Sequence, residues 1–144
     1  AEESYRRALK IKPKHIMANV NLGNCYRKQG KLGAAARQYE IALSFKSADC
    51  WVQNNLGNIY EEMNDMARAM EQYERAIKCD VHDPEFQTDI ANAYLKTDRI
   101  ADALVHYRAL LKIVEGLPAY RREENFARDM ITKLEEEQRP GAEQ

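Results

Sequence analysis

Apolar positions return at helical spacing along this chain, and polar breaks punctuate them at regular distances. Between 50 and 63, Trp51, Val52, Leu56, Ile59, Tyr60 and Met63 fall on one side of a helix, with Gly57 in its middle. Asn64-Asp65 is a polar break, after which Met66, Ala69, Met70, Tyr73, Ala76 and Ile77 mark a second amphipathic helix ending near Cys79. Two helices of about 13 residues joined by a tight turn make an antiparallel hairpin.

The hairpin is copied. Tyr5, Tyr39, Tyr73 and Tyr107 stand 34 residues apart, and Ala1, Ala35, Ala69 and Ala103 keep the same step. Further series are Ala8, Ala42 and Ala76; Tyr26, Tyr60 and Tyr94; Leu22, Leu56 and Ile90; and Gly23, Gly57 and Ala91. A fixed period of this size marks a stacked array, in which each copy buries its apolar face against the next. The small residues let paired helices approach closely, and the tyrosines fill the space beside each approach. Gly30 and Thr97-Asp98 stand at the turns matching Asn64-Asp65.

The predicted fold is therefore an all-α, right-handed α-solenoid of 34-residue helix-turn-helix repeats with a C-terminal capping helix. The second half of a truncated repeat occupies 1–13, full repeats occupy 16–49, 50–83 and 84–117, and the cap occupies 118–139. In the cap, Pro118 suits a first helical turn, and Tyr120, Ala127, Met130, Ile131 and Leu134 form an apolar stripe that would cover the last repeat. Residues 140–144 read as a disordered tail. Because the chain opens in mid-repeat, it is expected to be part of a longer protein. The apolar face around Tyr5 and Leu9 is expected to promote self-association.

Asn21-Leu22-Gly23-Asn24-Cys25-Tyr26, followed by Gly30, Ala35, Tyr39 and Ala42, closely resembles the tetratricopeptide repeat. So does Asn55-Leu56-Gly57-Asn58-Ile59-Tyr60, followed by Ala69, Tyr73 and Ala76. The third copy departs mildly, with Ala91 for glycine and Leu110 for alanine, and Pro13 stands at the family's closing proline. The resemblance spans residues 1–117.

It implies a concave groove lined by particular offsets of each repeat's first helix. Here those offsets hold Met17, Val20, Asn21, Asn24, Arg27 and Lys28; then Trp51, Asn54, Asn55, Asn58, Glu61 and Glu62; then Glu85, Thr88, Asp89, Asn92, Leu95 and Lys96. From this set Asn21, Asn24, Arg27, Lys28, Trp51, Asn54, Asn55, Asn58, Glu61, Glu62, Asn92 and Lys96 are the candidate peptide-binding residues. The recurrent asparagine amides suit either a ligand's backbone or bonds to neighbouring helices. Trp51 is either an anchor for a partner's apolar side chain or a half-buried packing residue. The order of charges predicts a ligand acidic toward Arg27 and Lys28 and basic toward Glu61 and Glu62. Some family members hold a chaperone's terminal carboxylate between basic residues; here Val20, Glu85 and Asp89 occupy those places, and the two carboxylates would repel such a ligand.

Composition narrows the partner. The chain is 44% apolar and 31% charged with a formal net charge of -1, which lacks the basic excess that nucleic acid demands. No apolar stretch reaches bilayer-spanning length. The three cysteines, Cys25, Cys50 and Cys79, show neither a disulfide framework nor zinc spacing. Cys25 and Cys79 read as small core residues, and a reducing compartment, cytoplasmic or nuclear, is expected. His15, His82 and His106 lack catalytic partners, Cys79-x-x-His82 has no second pair, and no phosphate loop or nucleophile elbow appears. The chain is thus read as a non-enzymatic scaffold without metal or cofactor, binding a partner peptide or helix in its groove. The alternative is a substrate-recruiting repeat module of a larger enzyme such as a glycosyltransferase.

Overall fold

The computed structural model describes residues 1–45 and 49–141; of the tail expected at 140–144, residues 142–144 lie outside that range. Among the described residues the elements are helical throughout: α1 (Glu2–Ile11), α2 (Ile16–Lys28), α3 (Leu32–Leu43), α4 (Cys50–Glu62), α5 (Met66–Cys79), α6 (Pro84–Lys96), α7 (Ile100–Val114) and α8 (Arg121–Glu137). The fold class is an all-α solenoid of helical hairpins. No helix of the described residues is long and apolar enough to cross a membrane.

The hairpin turns share one backbone solution. Gly30, Asn64 and Asp98, each 34 residues from the next, adopt left-handed φ values of 73, 60 and 58°. Glycine takes this conformation freely, and asparagine and aspartate tolerate it better than other residues. The residue that follows reaches back in every case: Lys31, Asp65 and Arg99 donate from their backbone N–H to the carbonyls of Tyr26, Tyr60 and Tyr94, at 2.9 Å. That bond satisfies a carbonyl left orphaned at the helix end. Helix starts are capped less uniformly. Asp83 accepts from the backbone of Glu85 and Phe86 ahead of Pro84, and the His15 Nδ1 accepts from Ala18.

Two compact units make up the chain, Ala1–Cys79 and Asp80–Gln144. In the first, α1 packs on α2, α2 on α3, α3 on α4 and α4 on α5. Its core is the small–large pattern: Ala35, Tyr39, Ala42, Leu56, Ala69, Tyr73 and Ala76 are buried. A Cβ placed on Gly23 would lie 2.7 Å from the Tyr39 ring, and one on Gly57 would lie 2.6 Å from the Tyr73 ring. These glycines are present because the tyrosine ring occupies the space a side chain needs. None of the α1 residues is buried. Tyr5 and Leu9 are half-covered, and Ile11, 81% exposed, is the most open apolar side chain of that helix.

In the second unit α6 packs on α7 and α7 on α8. The capping helix differs in detail from expectation. Pro118 opens a single 3-10 turn, Pro118–Tyr120, and the α-helix begins at Arg121. Ala127 and Leu134 are its buried residues, but Tyr120 stays 38% exposed and does not join the covered stripe.

The cysteine reading needs correction. Cys50 and Cys79 are disulfide-bonded, with Cα atoms 5.7 Å apart, and Cys79 is exposed rather than a core residue. The hairpin itself is the reason. Helices of 13 and 14 residues joined by a tight turn bring the first residue of α4 beside the last residue of α5. Cys25 is a free, half-buried thiol on α2.

Candidate functional site

The candidate residues of the first unit lie on α2 and α4. On α2, Asn21, Asn24 and Lys28 follow at steps of three and four, and so share a helix face with Arg27. On α4, Trp51, Asn55, Asn58, Glu61 and Glu62 do the same. Asn21, Asn24, Arg27, Trp51, Asn55, Asn58 and Glu61 are half-buried, and Lys28 and Glu62 are exposed. Asn54 behaves differently: it is 1% exposed, a buried position that presents no surface to a ligand. Asn92 and Lys96 belong to the second unit, where Asn92 is half-buried and Lys96 exposed.

The asparagine series acquires a partner. The Tyr39 hydroxyl donates to Asn24 Oδ1 at 2.5 Å, Tyr73 to Asn58 Oδ1 at 2.5 Å, and Tyr107 to Asn92 Oδ1 at 2.6 Å. Each bond joins the first helix of a hairpin to its second, and it turns the carboxamide oxygen inward. The two N–H donors of each amide are not used by this bond. The tyrosine thereby fixes the orientation of a half-exposed amide. The Tyr73 oxygen also lies 2.9 Å from Glu61 Oε2. Burial pushes the Tyr39 hydroxyl pKa up, against the pull of Arg27, and pushes Tyr107 up to about 12.

Charge on this face is not arranged as the order of residues implied. Arg27 Nε donates to Glu62 Oε1 at 2.8 Å, and its Nη2 meets the same oxygen. The bond links α2 to α4 and holds Arg27 above the ordinary guanidinium pKa, chiefly through the Glu62 hydrogen bond. Arg27 and Glu62 thus neutralise each other, which removes one charge from each end of the expected opposition. Trp51 spends its indole N–H on Asp49 Oδ2 at 3.2 Å, which leaves the ring's apolar surface as its contribution to the face.

A second polar series escaped the reading of the sequence. Asn19, Gln53 and Gln87 stand 34 residues apart near the starts of α2, α4 and α6, and Asn19 and Gln87 are buried. Asn19 donates to the carbonyls of Pro13 and His15, Gln53 to Gln72, and Gln87 to the carbonyl of Val81. Gln87 Oε1 also lies 2.8 Å from His106 Nδ1, and the His106 ring stacks on Tyr94. His106 therefore packs inside the second unit.

The second unit also holds a cavity of about 460 Å³ lined by Asp83, Pro84, Glu85, Thr88, Asp89, Tyr120 and Glu123. Burial raises the Glu85 pKa, and the neighbouring Asp89 and Asp83 add to the shift. An incoming carboxylate would meet this field unfavourably.

Residues 23–64 match a family model described as TPR repeat, and residues 52–80 match one described as Tetratricopeptide repeat. No curated protein sequence is similar enough to the chain to count as a relative. Solved structures share the fold at low identity. The Yersinia enterocolitica type III secretion chaperone SycD, in complex with a peptide of the translocator YopD, superposes with a TM-score of 0.76 at 16% identity, over 84% of this chain and 92% of that one. PcrH in complex with the chaperone binding region of PopD gives a TM-score of 0.74 at 16% identity, over 84% and 91%. MamA gives 0.75 at 17% identity, over 94% and 85%.

Proposed function

We propose that this chain, a tetratricopeptide-repeat protein, binds an extended or helical segment of a partner protein on the α2/α4 face of its first unit. The observation that carries the reading is the pair of tyrosine-anchored amides. Tyr39 and Tyr73 hold Asn24 and Asn58 by their oxygens, so the N–H donors keep one orientation before any ligand arrives. Pre-oriented donors lose little entropy on binding, and backbone carbonyls of a peptide are the acceptors they suit. Asn21 and Asn55 extend the polar row, Trp51 supplies an apolar anchor, and Lys28 supplies an exposed cation. SycD and PcrH, which share the fold, are each seen with a peptide of another protein. The proposed activity is equilibrium binding rather than catalysis.

The test is a peptide array, with the tightest binder carried into calorimetry. Trp51→Ala removes on the order of 2 kcal/mol of affinity, as aromatic anchors do, and Asn55→Ala removes about 1 kcal/mol. Circular dichroism of both variants matches the parent, because neither side chain is buried. Asn58→Ala is a poorer probe, since it also strips Tyr73 of an acceptor. Full-strength binding by both folded variants would place the ligand on another surface.

A further inference from the structure

The second hairpin is closed at both ends. At one end the turn through Asn64 joins α4 to α5. At the other, Cys50, the first residue of α4, is bonded to Cys79, the last residue of α5. The repeat supplies its own comparison for this position. The residues 34 before are Ile16 and Phe45, and those 34 after are Pro84 and Ile113, all half-buried. The other hairpins thus put a half-buried apolar pair where this one puts two sulfurs.

That substitution makes the bond an addition to a hairpin already held by other means. The close approach of Gly57 to the buried Tyr73 ring and the Tyr73–Asn58 hydrogen bond join α4 to α5 without it. Two reduced thiols, small and weakly polar, are compatible with the same packing. Cys79 is exposed, so a small thiol or disulfide reaches it. Asp49 and Trp51 flank Cys50 and are bonded to each other through the indole N–H.

We propose that Cys50 and Cys79 form a reversible redox clamp on the open end of the second repeat, controlling how firmly the first turn of α4 and Trp51 are held. Closure uses an oxidant of the glutathione-disulfide class. The Cys79 thiolate attacks one sulfur of the oxidant and expels a thiol. The Cys50 thiolate then attacks the Cys79 sulfur of the mixed disulfide and expels the second thiol. In sum, two protein thiols and one disulfide yield one protein disulfide and two thiols, and excess thiol reverses both steps. Any effect on peptide binding rests on the proposed function above; the clamp itself does not.

The experiment uses the full chain equilibrated in oxidised or reduced glutathione, then alkylated and weighed. In the oxidised buffer Cys25 alone is alkylated, and in the reduced buffer all three cysteines are. Reduction lowers Tm by about 5 °C or more, because the closed loop no longer restrains the unfolded chain. Trp51, the only tryptophan, brightens as the adjacent disulfide, a quencher of indole emission, opens. The variant Cys50→Ile/Cys79→Phe, which copies the first repeat, folds and loses both responses; Cys50→Ser/Cys79→Ser serves if the larger pair does not fit. Three alkylatable cysteines at every glutathione ratio, or one at every ratio, would overturn the clamp. So would a reduced protein whose Tm and Trp51 emission equal those of the oxidised one. These readouts need no partner, so they hold or fail independently of the peptide-binding reading.

Discussion

The α4/α5 hairpin of the first unit and the α6/α7 hairpin of the second follow one 34-residue template and fill it differently. At the turn, Asp65 pairs with Arg68 at 2.6 Å in one, and Arg99 pairs with Asp102 at 2.8 Å in the other. The sequence order of the charges is reversed. Yet the guanidinium ends above the equivalent tyrosine in both, 4.4 Å from the Tyr60 ring centroid and 4.5 Å from that of Tyr94. In the interior, Gly57 faces the Tyr73 ring, whereas the matching Ala91 carries a Cβ and is buried all the same. At the open end, a disulfide stands in one and Pro84 and Ile113 in the other. The template therefore preserves spatial requirements, such as a cation over a tyrosine or a small residue beside a ring, and leaves residue identity free.

The largest effect is expected at the tightest point. Gly57→Leu forces a branched side chain against a ring that is fully buried, and costs about 3 kcal/mol. A thermal melt reads this as a fall of roughly 6–10 °C. Ala91→Gly, the reverse change in the second unit, costs only about 1 kcal/mol through lost helix preference. If Gly57→Leu melts with the parent, the close-approach account of the first unit is wrong.

A smaller difference separates the two buried tyrosines. Tyr73 faces both Asn58 and the carboxylate of Glu61. Tyr107 donates to Asn92, and Leu95 stands where the first unit has Glu61. Bonds to charged groups are the stronger ones. Tyr73→Phe should therefore cost about 2 kcal/mol and Tyr107→Phe about 1 kcal/mol. Urea unfolding of both variants checks the order, and equal losses would remove Glu61 from the account.

These pairs also show what could be read before the structure. The period displays itself wherever one residue type recurs, so the helices and the turn at Gly30 were legible. The asparagine and tyrosine series were each visible, but their union was not. It depends on position 24 facing position 39 across a hairpin, an offset of 15 that the structure repeats at Asn58–Tyr73 and Asn92–Tyr107. The series of Asn19, Gln53 and Gln87 stayed hidden because its chemistry is conserved while its residue type changes. Cys50–Cys79 was missed for another reason. Cysteine spacing was weighed against known motifs, when hairpin geometry alone brings residues 50 and 79 together. Burial of Asn54 and the Arg27–Glu62 pair depend on how α2 and α4 sit, which order along the chain does not encode.

A pH titration separates two causes of one shift. Burial and the hydrogen bond to Glu40 raise Tyr60 to about 12, whereas Tyr107 reaches about 12 by burial alone. An unfolded tyrosine ionises near pH 10, at about its ordinary pKa. Stability from each is therefore complete below pH 10 and lost as pH rises from about 10 toward about 12. Glu40→Gln removes the charge that helps keep the Tyr60 proton in place. It moves the Tyr60 pKa down toward the ordinary value and leaves Tyr107 unchanged. An NMR titration with ring-labelled tyrosine distinguishes them; a Tyr60 pKa that ignores Glu40→Gln would make burial its sole cause.

The smallest effect expected is the most direct test of the template. If the fold asks only for a cation over the tyrosine and a carboxylate beside it, the second repeat should accept the third repeat's arrangement. The double variant Asp65→Arg/Arg68→Asp rewrites one as the other and keeps net charge constant. Asp65 would no longer accept from the Arg68 backbone N–H at 3.1 Å, but Arg99 begins α7 without such a side-chain cap, so that bond is dispensable to the turn. Surface ion pairs contribute little in any case, and Tm should stay within about 2 °C of the parent. The single variant Asp65→Arg sets two guanidinium groups side by side and should melt lower than the double, with the gap closing as salt is added. A double variant that melts below the single one would show that the order of charges matters at this turn, and that the two hairpins are not interchangeable there.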